Sequence, residues 1–177
     1  MAQFDLVIYQ QLLTQVDAAV TAHQKGVAFE SLADYLLGTL NGVEVAGRDV
    51  DMAAEEIDLV LWNAQIEEVL RPWDGVILVE CKNWSAAVGA PQLDSFIGKM
   101  RRRALKTGIF IAANGVTGQY ASGVNPGGAL ELIRAALQEG IRVITITMDD
   151  LRAISSCDEL RTLIKRRYCG LFVHKVF

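Results

Sequence analysis

The chain has 177 residues, 51% of them hydrophobic and 21% charged, enough for one core of ordinary size and unlike a disordered chain. Its net charge of −4 argues at first sight against a nucleic-acid partner. Cys81, Cys157 and Cys169 are odd in number with no C-x-x-C spacing, and MAQFDLVIYQQ carries no leader pattern, so a disulfide framework and a zinc knuckle are not expected and a cytoplasmic setting is.

In chain order, residues 5–22 carry Leu12, Leu13, Val16, Ala19 and Val20 at helical spacing and predict a first helix. After Gly26 a second helix is predicted, with Phe29, Leu32, Ala33, Leu36, Leu37 and Leu40 as its apolar stripe and Asn41-Gly42 as its stop. Residues 43–52 alternate loosely, as a strand does. Residues 57–62 read as a buried strand interrupted by one acid, Asp58. Turn residues around Pro72 and Gly75 lead to a third strand over 76–83. Pro91 suits the first turn of a helix running to Lys106, with Leu93, Phe96, Ile97, Met100 and Ala104 as its stripe. A short buried strand follows over 108–113, then a Gly-rich loop over 114–128, a helix over 129–139 closing at Gly140 and a strand over 141–147. The uncharged run from Thr107 to Leu130 is broken by Asn114, Gln119, Asn125 and Pro126 and fails as a membrane span. Asp149-Asp150 can cap a short helix, and 158–167 forms another. This order predicts an α/β fold, a mixed sheet flanked by helices, within a single domain over 1–177.

The charge is unevenly spread. Residues 1–98 hold 4 Lys/Arg against 15 Asp/Glu, a net of −11, and residues 99–177 hold 13 against 6, a net of +7. Two basic clusters stand out, one from Lys99 to Lys106 and one of Arg161, Lys165, Arg166 and Arg167. On one helix Lys99, Arg103 and Lys106 share a face, and phosphate contact to nucleic acid is the functional expectation. Solvated helix faces that balance an acidic half are the alternative.

The chemistry-bearing residues lie in the apolar strands. Strand alternation points Glu80 and Lys82 the same way and Cys81 the other. A hairpin sets Asp58 beside Glu80. Buried carboxylates need a partner, and Mg²⁺ (or Mn²⁺) fits two carboxylates with water and phosphate completing an octahedron. Asp58 and Glu80 are then the expected ligands, with the backbone carbonyl of Cys81 as a further one, and Lys82 orients water or offsets charge on a phosphate. A structural ion pair at a sheet end is the alternative.

Glu56-Ile57-Asp58-Leu59-Val60, followed by Glu80-Cys81-Lys82-Asn83, resembles the PD-(D/E)xK motif of restriction-endonuclease-like nucleases, nearest the Mrr-like type IV branch. Ile57 stands where the motif's name has proline. Gly26-Val27-Ala28-Phe29-Glu30 is similar to the G-x-x-F-E of that family's first core helix, and 108–111 and 144–151 resemble its later strands and closing turn. The resemblance spans 25–152 as a catalytic core, with 1–24 an added N-terminal helix and 153–177 a C-terminal helix suited to oligomer contact. It implies an αβββαβ core, a metal-dependent DNA endonuclease of restriction or defence, and a homodimer or larger assembly for double-strand cuts. It also implies that Glu30 assists metal binding, directly or through water, and that Gln92 contacts the site or a phosphate. A plain surface role for Glu30 and a capping role for Gln92 are the alternatives. A repair nuclease of junction-resolvase type, or a silent nucleic-acid-binding module, shares the same core.

Overall fold

Asp5 opens the first helix, α1 (Leu6–Ala18), by accepting from the Val7 and Ile8 N–H groups. The computed structural model describes residues 3–51, 56–118 and 128–173. The helix expected over 5–22 is shorter, because Thr21 and Gln24 form a reciprocal capping box that starts α2 (Ala22–Gly38) upstream of Gly26. The Tyr9 hydroxyl, fully buried, donates to the Leu151 carbonyl at 2.8 Å and ties α1 to the far end of the chain.

Five strands follow as β1 (Val43–Asp51), β2 (Glu56–Asn63), β3 (Val76–Lys82), β4 (Thr107–Ala112) and β5 (Arg142–Ile146), and they lie in that same order in one sheet. The pairs β1–β2 and β2–β3 are antiparallel, while β3–β4 and β4–β5 are parallel. Parallel neighbours need crossovers, and α3 (Ala90–Arg102) and α4 (Ala129–Gln138) supply them. Between β2 and β3 a 3₁₀ turn (Glu68–Leu70) is held by the buried Asn63 amide, which donates to the Leu70 and Asp74 carbonyls. The chain then closes with α5 (Met148–Arg152) and α6 (Cys157–Phe172).

Strand alternation divides the core into two layers. Leu59, Leu61, Ile77, Val79, Cys81, Ile109, Ile111, Ile144 and Ile146 pack with α1, α2, α5 and α6. Leu78, Phe110, Ala112 and Val143 pack with α3 and α4. The result is an α/β restriction-endonuclease-like core in the order αβββαβ, with helices on both faces of a mixed sheet. Among the described residues no helix is long and apolar enough to cross a membrane, and the three cysteines are free thiols.

Three expectations are corrected here. Helix α3 ends at Arg102 and not near Lys106, because Ala104 takes a left-handed conformation (φ 55°). The Leu105 N–H then bonds the Met100 carbonyl and the Ala104 N–H that of Arg101, a Schellman ending built on alanine. Helix α5 is capped by Thr147, with Asp150 as the reciprocal partner, and not by Asp149-Asp150 themselves. The second basic cluster is largely spent on internal ion pairs. Arg167 bonds Asp150 at 2.6 Å with both side chains 9% exposed, and Arg161 grips the buried Glu67 through Nε and Nη2 at 3.0 Å each. Of the loop expected over 114–128, residues 119–127 lie outside the described residues, as do the last four of the C-terminal segment.

Helix α3 can sit close on β4 because residue 108 has no side chain. A Cβ at Gly108 would lie 2.8 Å from Met100 Sδ and 2.9 Å from Phe96 Cζ, and both of those side chains are fully buried with no room to swing aside. Gly108→Ala is therefore expected to destabilise the fold by about 1–3 kcal/mol, seen as a lower denaturant midpoint at unchanged slope. A wild-type midpoint would show that α3 is not seated through this contact.

Candidate functional site

Pairing of β2 with β3 runs from Trp62 opposite Val76 to Leu59 opposite Val79. One step further the register sets Asp58 opposite Glu80. There the Cys81 N–H donates to Asp58 Oδ2 at 2.6 Å, so a side-chain carboxylate takes the place that a strand carbonyl fills in a continuous ladder. Packing changes phase at the same point: Leu59 and Leu61 face the α1–α2 layer, whereas Ile57 joins the α3 layer. Asp58 and Glu80 are each 6% exposed. Lys82 Nζ lies 2.8 Å from Glu80 Oε1 and 3.6 Å from Asp58 Oδ2. The three residues expected to act together from the strand pattern are thus in contact.

A second lysine reaches the same carboxylate. Lys99 of α3 places Nζ 2.8 Å from Glu80 Oε2 and donates to the Glu56 carbonyl at 2.5 Å. This corrects the expectation of a phosphate-contacting face made by Lys99, Arg103 and Lys106. Lys99 is buried on the site side of α3. Arg103 is the residue that caps the helix and bonds back to the Lys99 carbonyl. Lys106 is exposed beyond the helix end, with its backbone N–H on Asp74. In the sequence Lys99 follows Phe96 by three residues and so borders the apolar stripe, a position that does not by itself decide burial.

Burial pushes the Asp58 carboxyl above its ordinary value, and the nearby Glu80 charge adds to the push; Lys82 and the Cys81 N–H oppose it. Burial works against the Lys82 ammonium, but Glu80 and then Asp58 outweigh it and hold it above its ordinary value. Both directions describe one imbalance: Lys82 is shared between two buried carboxylates, and Asp58 is left short of positive charge. Burial also raises the Cys81 thiol, which packs in the opposite layer, and the charges of Asp58 and Glu30 add to the push.

Glu30, on α2, is partly buried and feels this field as well. Its carboxyl is pushed up to about 7, first by burial, then by Asp58 and Asp49, against the pull of Lys82. Gly26 lies one turn earlier on α2, where a Cβ would stand in ordinary contact with Glu30 Oε1 at 3.7 Å. Gln92 lies in the first turn of α3; a Cβ at Gly89 would lie 3.7 Å from its Oε1. Among the described residues no hydrogen bond joins Gln92 to Asp58, Glu80 or Lys82.

The profile of the Mrr catalytic-domain family, described as restriction endonuclease, matches residues 21–146, from the N-cap of α2 to the last residue of β5. The chain belongs to the Mrr restriction-endonuclease family. A solved structure of SfsA from Pyrococcus furiosus in complex with Ca²⁺ is similar at 20% identity and a TM-score of 0.40, over 73% of this chain and 59% of that one. This chain accordingly spans less than two thirds of the length of SfsA. No curated protein matches the sequence. Within the Mrr family match lie Glu30, Asp58, Glu80 and Lys82, together with Lys99, whose place in the site only the fold reveals.

The raised Glu30 carboxyl has a consequence for stability. Folded protein keeps a proton there between the ordinary value of 4.5 and about 7, where the unfolded chain has released it. Stability from this group is therefore full below the ordinary value and is lost as pH rises through about 7. Glu30→Gln is expected to flatten the melting temperature between these limits and to melt above wild type at about pH 8. Melting curves across this range check it, and an unchanged slope in the variant would mean that Glu30 is not the group responsible.

Proposed function

We propose that the chain is a metal-dependent endodeoxyribonuclease that hydrolyses phosphodiester bonds of DNA, with Asp58, Glu80 and Lys82 at its active centre. One observation carries the reading: the Lys82 ammonium lies between two buried carboxylates, 2.8 Å from one and 3.6 Å from the other, at the point where β2 and β3 cease to pair. That is a position that favours positive charge. A divalent cation fits the donor set. Among the described residues no three His, Cys, Asp or Glu side chains are grouped to hold a metal; Mg²⁺ or Mn²⁺ is proposed because such ions take one or two carboxylates and keep water and phosphate oxygens in their shell. Asp58 and Glu80 would hold it, aided by the Cys81 carbonyl and by Glu30 through water.

When bound, the cation supplies the charge that polarises a phosphate and acidifies water. The chain's own residues do the rest. The Cys81 N–H fixes Asp58 in place. Lys82 holds a proton-bearing ammonium against the carboxylates, where it can orient the attacking water and offset charge gathering on the phosphate. Burial of the group strengthens each of these interactions relative to water. Arg103, Lys106 and Gln92 are proposed contacts for the nucleic-acid backbone, now as separate points and not as one helical face. Two copies of the chain are proposed for double-strand cutting. The family description supports a setting in restriction or defence against foreign DNA.

Cleavage of supercoiled and linear DNA with Mg²⁺ or Mn²⁺ tests this. Lys82→Ala and Asp58→Ala are each expected to lose on the order of 10²–10³-fold or more in rate while keeping a wild-type circular dichroism spectrum. Wild-type cutting by either variant would remove that residue from the centre, and metal-independent cutting would overturn the reading as a whole.

A further inference from the structure

Two lysines divide the Glu80 carboxylate, and they are not held alike. Lys82 takes Oε1 with a side chain 23% exposed, and its other carboxylate contact, to Asp58, is looser at 3.6 Å. Lys99 takes Oε2 with a side chain 9% exposed and donates a second hydrogen bond to the Glu56 carbonyl. The helix that carries Lys99 is seated on β4 through Phe96 and Met100, against the space left at Gly108. Lys82 can move towards solvent and yield Oε1. Lys99 cannot move without stranding a buried ammonium and leaving a buried carboxylate oxygen bare.

We propose that Lys99 is a positioning residue that restricts Glu80 to offering one oxygen, Oε1, to a cation, and that it thereby sets the preference of the site for Mg²⁺ over Ca²⁺. The proposal rests on the metal-dependent reading above and adds selectivity to it. Mg²⁺ demands a compact octahedron and is content with single oxygens from one or two carboxylates, whereas Ca²⁺ takes roughly six to eight oxygens and often both from one carboxylate. A glutamate with Oε2 locked by a lysine withholds the second oxygen. The lock comes from α3, outside the Asp58, Glu80 and Lys82 set, and Lys99 touches neither a phosphate nor water in this role.

Calorimetric titration of the metal-free protein with Mg²⁺ and with Ca²⁺, without nucleic acid, tests the proposal. In Lys99→Met the ratio of Ca²⁺ to Mg²⁺ affinity is expected to rise by about tenfold, because Glu80 is freed to use both oxygens. Lys99→Arg keeps a charge and donors at Oε2 and is expected to keep the wild-type ratio. An unchanged ratio in Lys99→Met, with both ions still bound, would overturn the proposal and leave the metal reading intact. An equal shift in Lys99→Arg would also overturn it. Failure of wild type to bind either ion would sink the metal reading and this proposal with it. Should Lys99→Met not fold, the double variant Lys99→Met/Glu80→Gln is compared with Glu80→Gln alone. The double variant is expected to melt at or above Glu80→Gln alone, since the single variant leaves the Lys99 ammonium buried without its carboxylate. A large further loss would show that Lys99 serves the Glu56 carbonyl instead of Glu80, and the proposal would fall.

Discussion

Two carboxylates, Asp58 and Glu80, are buried side by side where β2 and β3 part, and the rest of the architecture answers to that cost. An uncompensated buried carboxylate is expensive. Here the compensation comes from three directions: Lys82 two residues along the same strand, the Cys81 N–H freed by the break in the ladder, and Lys99 from the crossover helix. The parallel half of the sheet makes the third possible. Joining β3 to β4 in parallel requires a helix across one face, and α3 brings an ammonium over the strand that bears Glu80. The antiparallel half makes the second possible, since pairing of β2 with β3 brings Asp58 to the Cys81 N–H.

Charge elsewhere in the chain is organised differently from what its distribution suggests. Arg161 closes on Glu67 and Arg152 on Asp17, joining the basic second half to the acidic first half, while Arg167 on Asp150 and Arg101 on Glu139 pair charges within the second half. The pairs are unequal in weight. Arg167 with Asp150 is largely buried and its loss would strand a charge, whereas Arg101 with Glu139 is largely exposed and contributes little. Net charge per segment was therefore a poor guide to a binding face.

Legibility in the sequence followed the physics of each element. The strands could be read because their runs are apolar on both faces apart from one acid or one acid-x-lysine break, and the period of two placed Glu80 and Lys82 on one side. The Gly140 stop of α4 could be read because glycine adopts its positive φ of 83° freely. The end of α3 could not, since Ala104 makes the same kind of Schellman ending without the residue that announces it. Thr21 and Gln24 were readable as a capping box but stand between a first helix carried on to residue 22 and a second read only from Gly26. Lys99 was misread because a lysine within a basic cluster resembles a surface residue, and only the position of α3 over Glu80 decides that it is buried. Side-chain burial of a cation depends on what lies across from it, and a single helix pattern does not contain that.

The central claim is that the buried carboxylate pair is a cation site, and linkage between ion binding and folding measures it most directly. Thermal unfolding of the wild type and of Asp58→Asn, each followed over a Mg²⁺ titration, needs neither a substrate nor knowledge of a target sequence. An ion that binds only the folded state raises the melting temperature with concentration. The account predicts such a rise for the wild type and its absence in Asp58→Asn. An equal rise in both proteins, or none in the wild type, would contradict it.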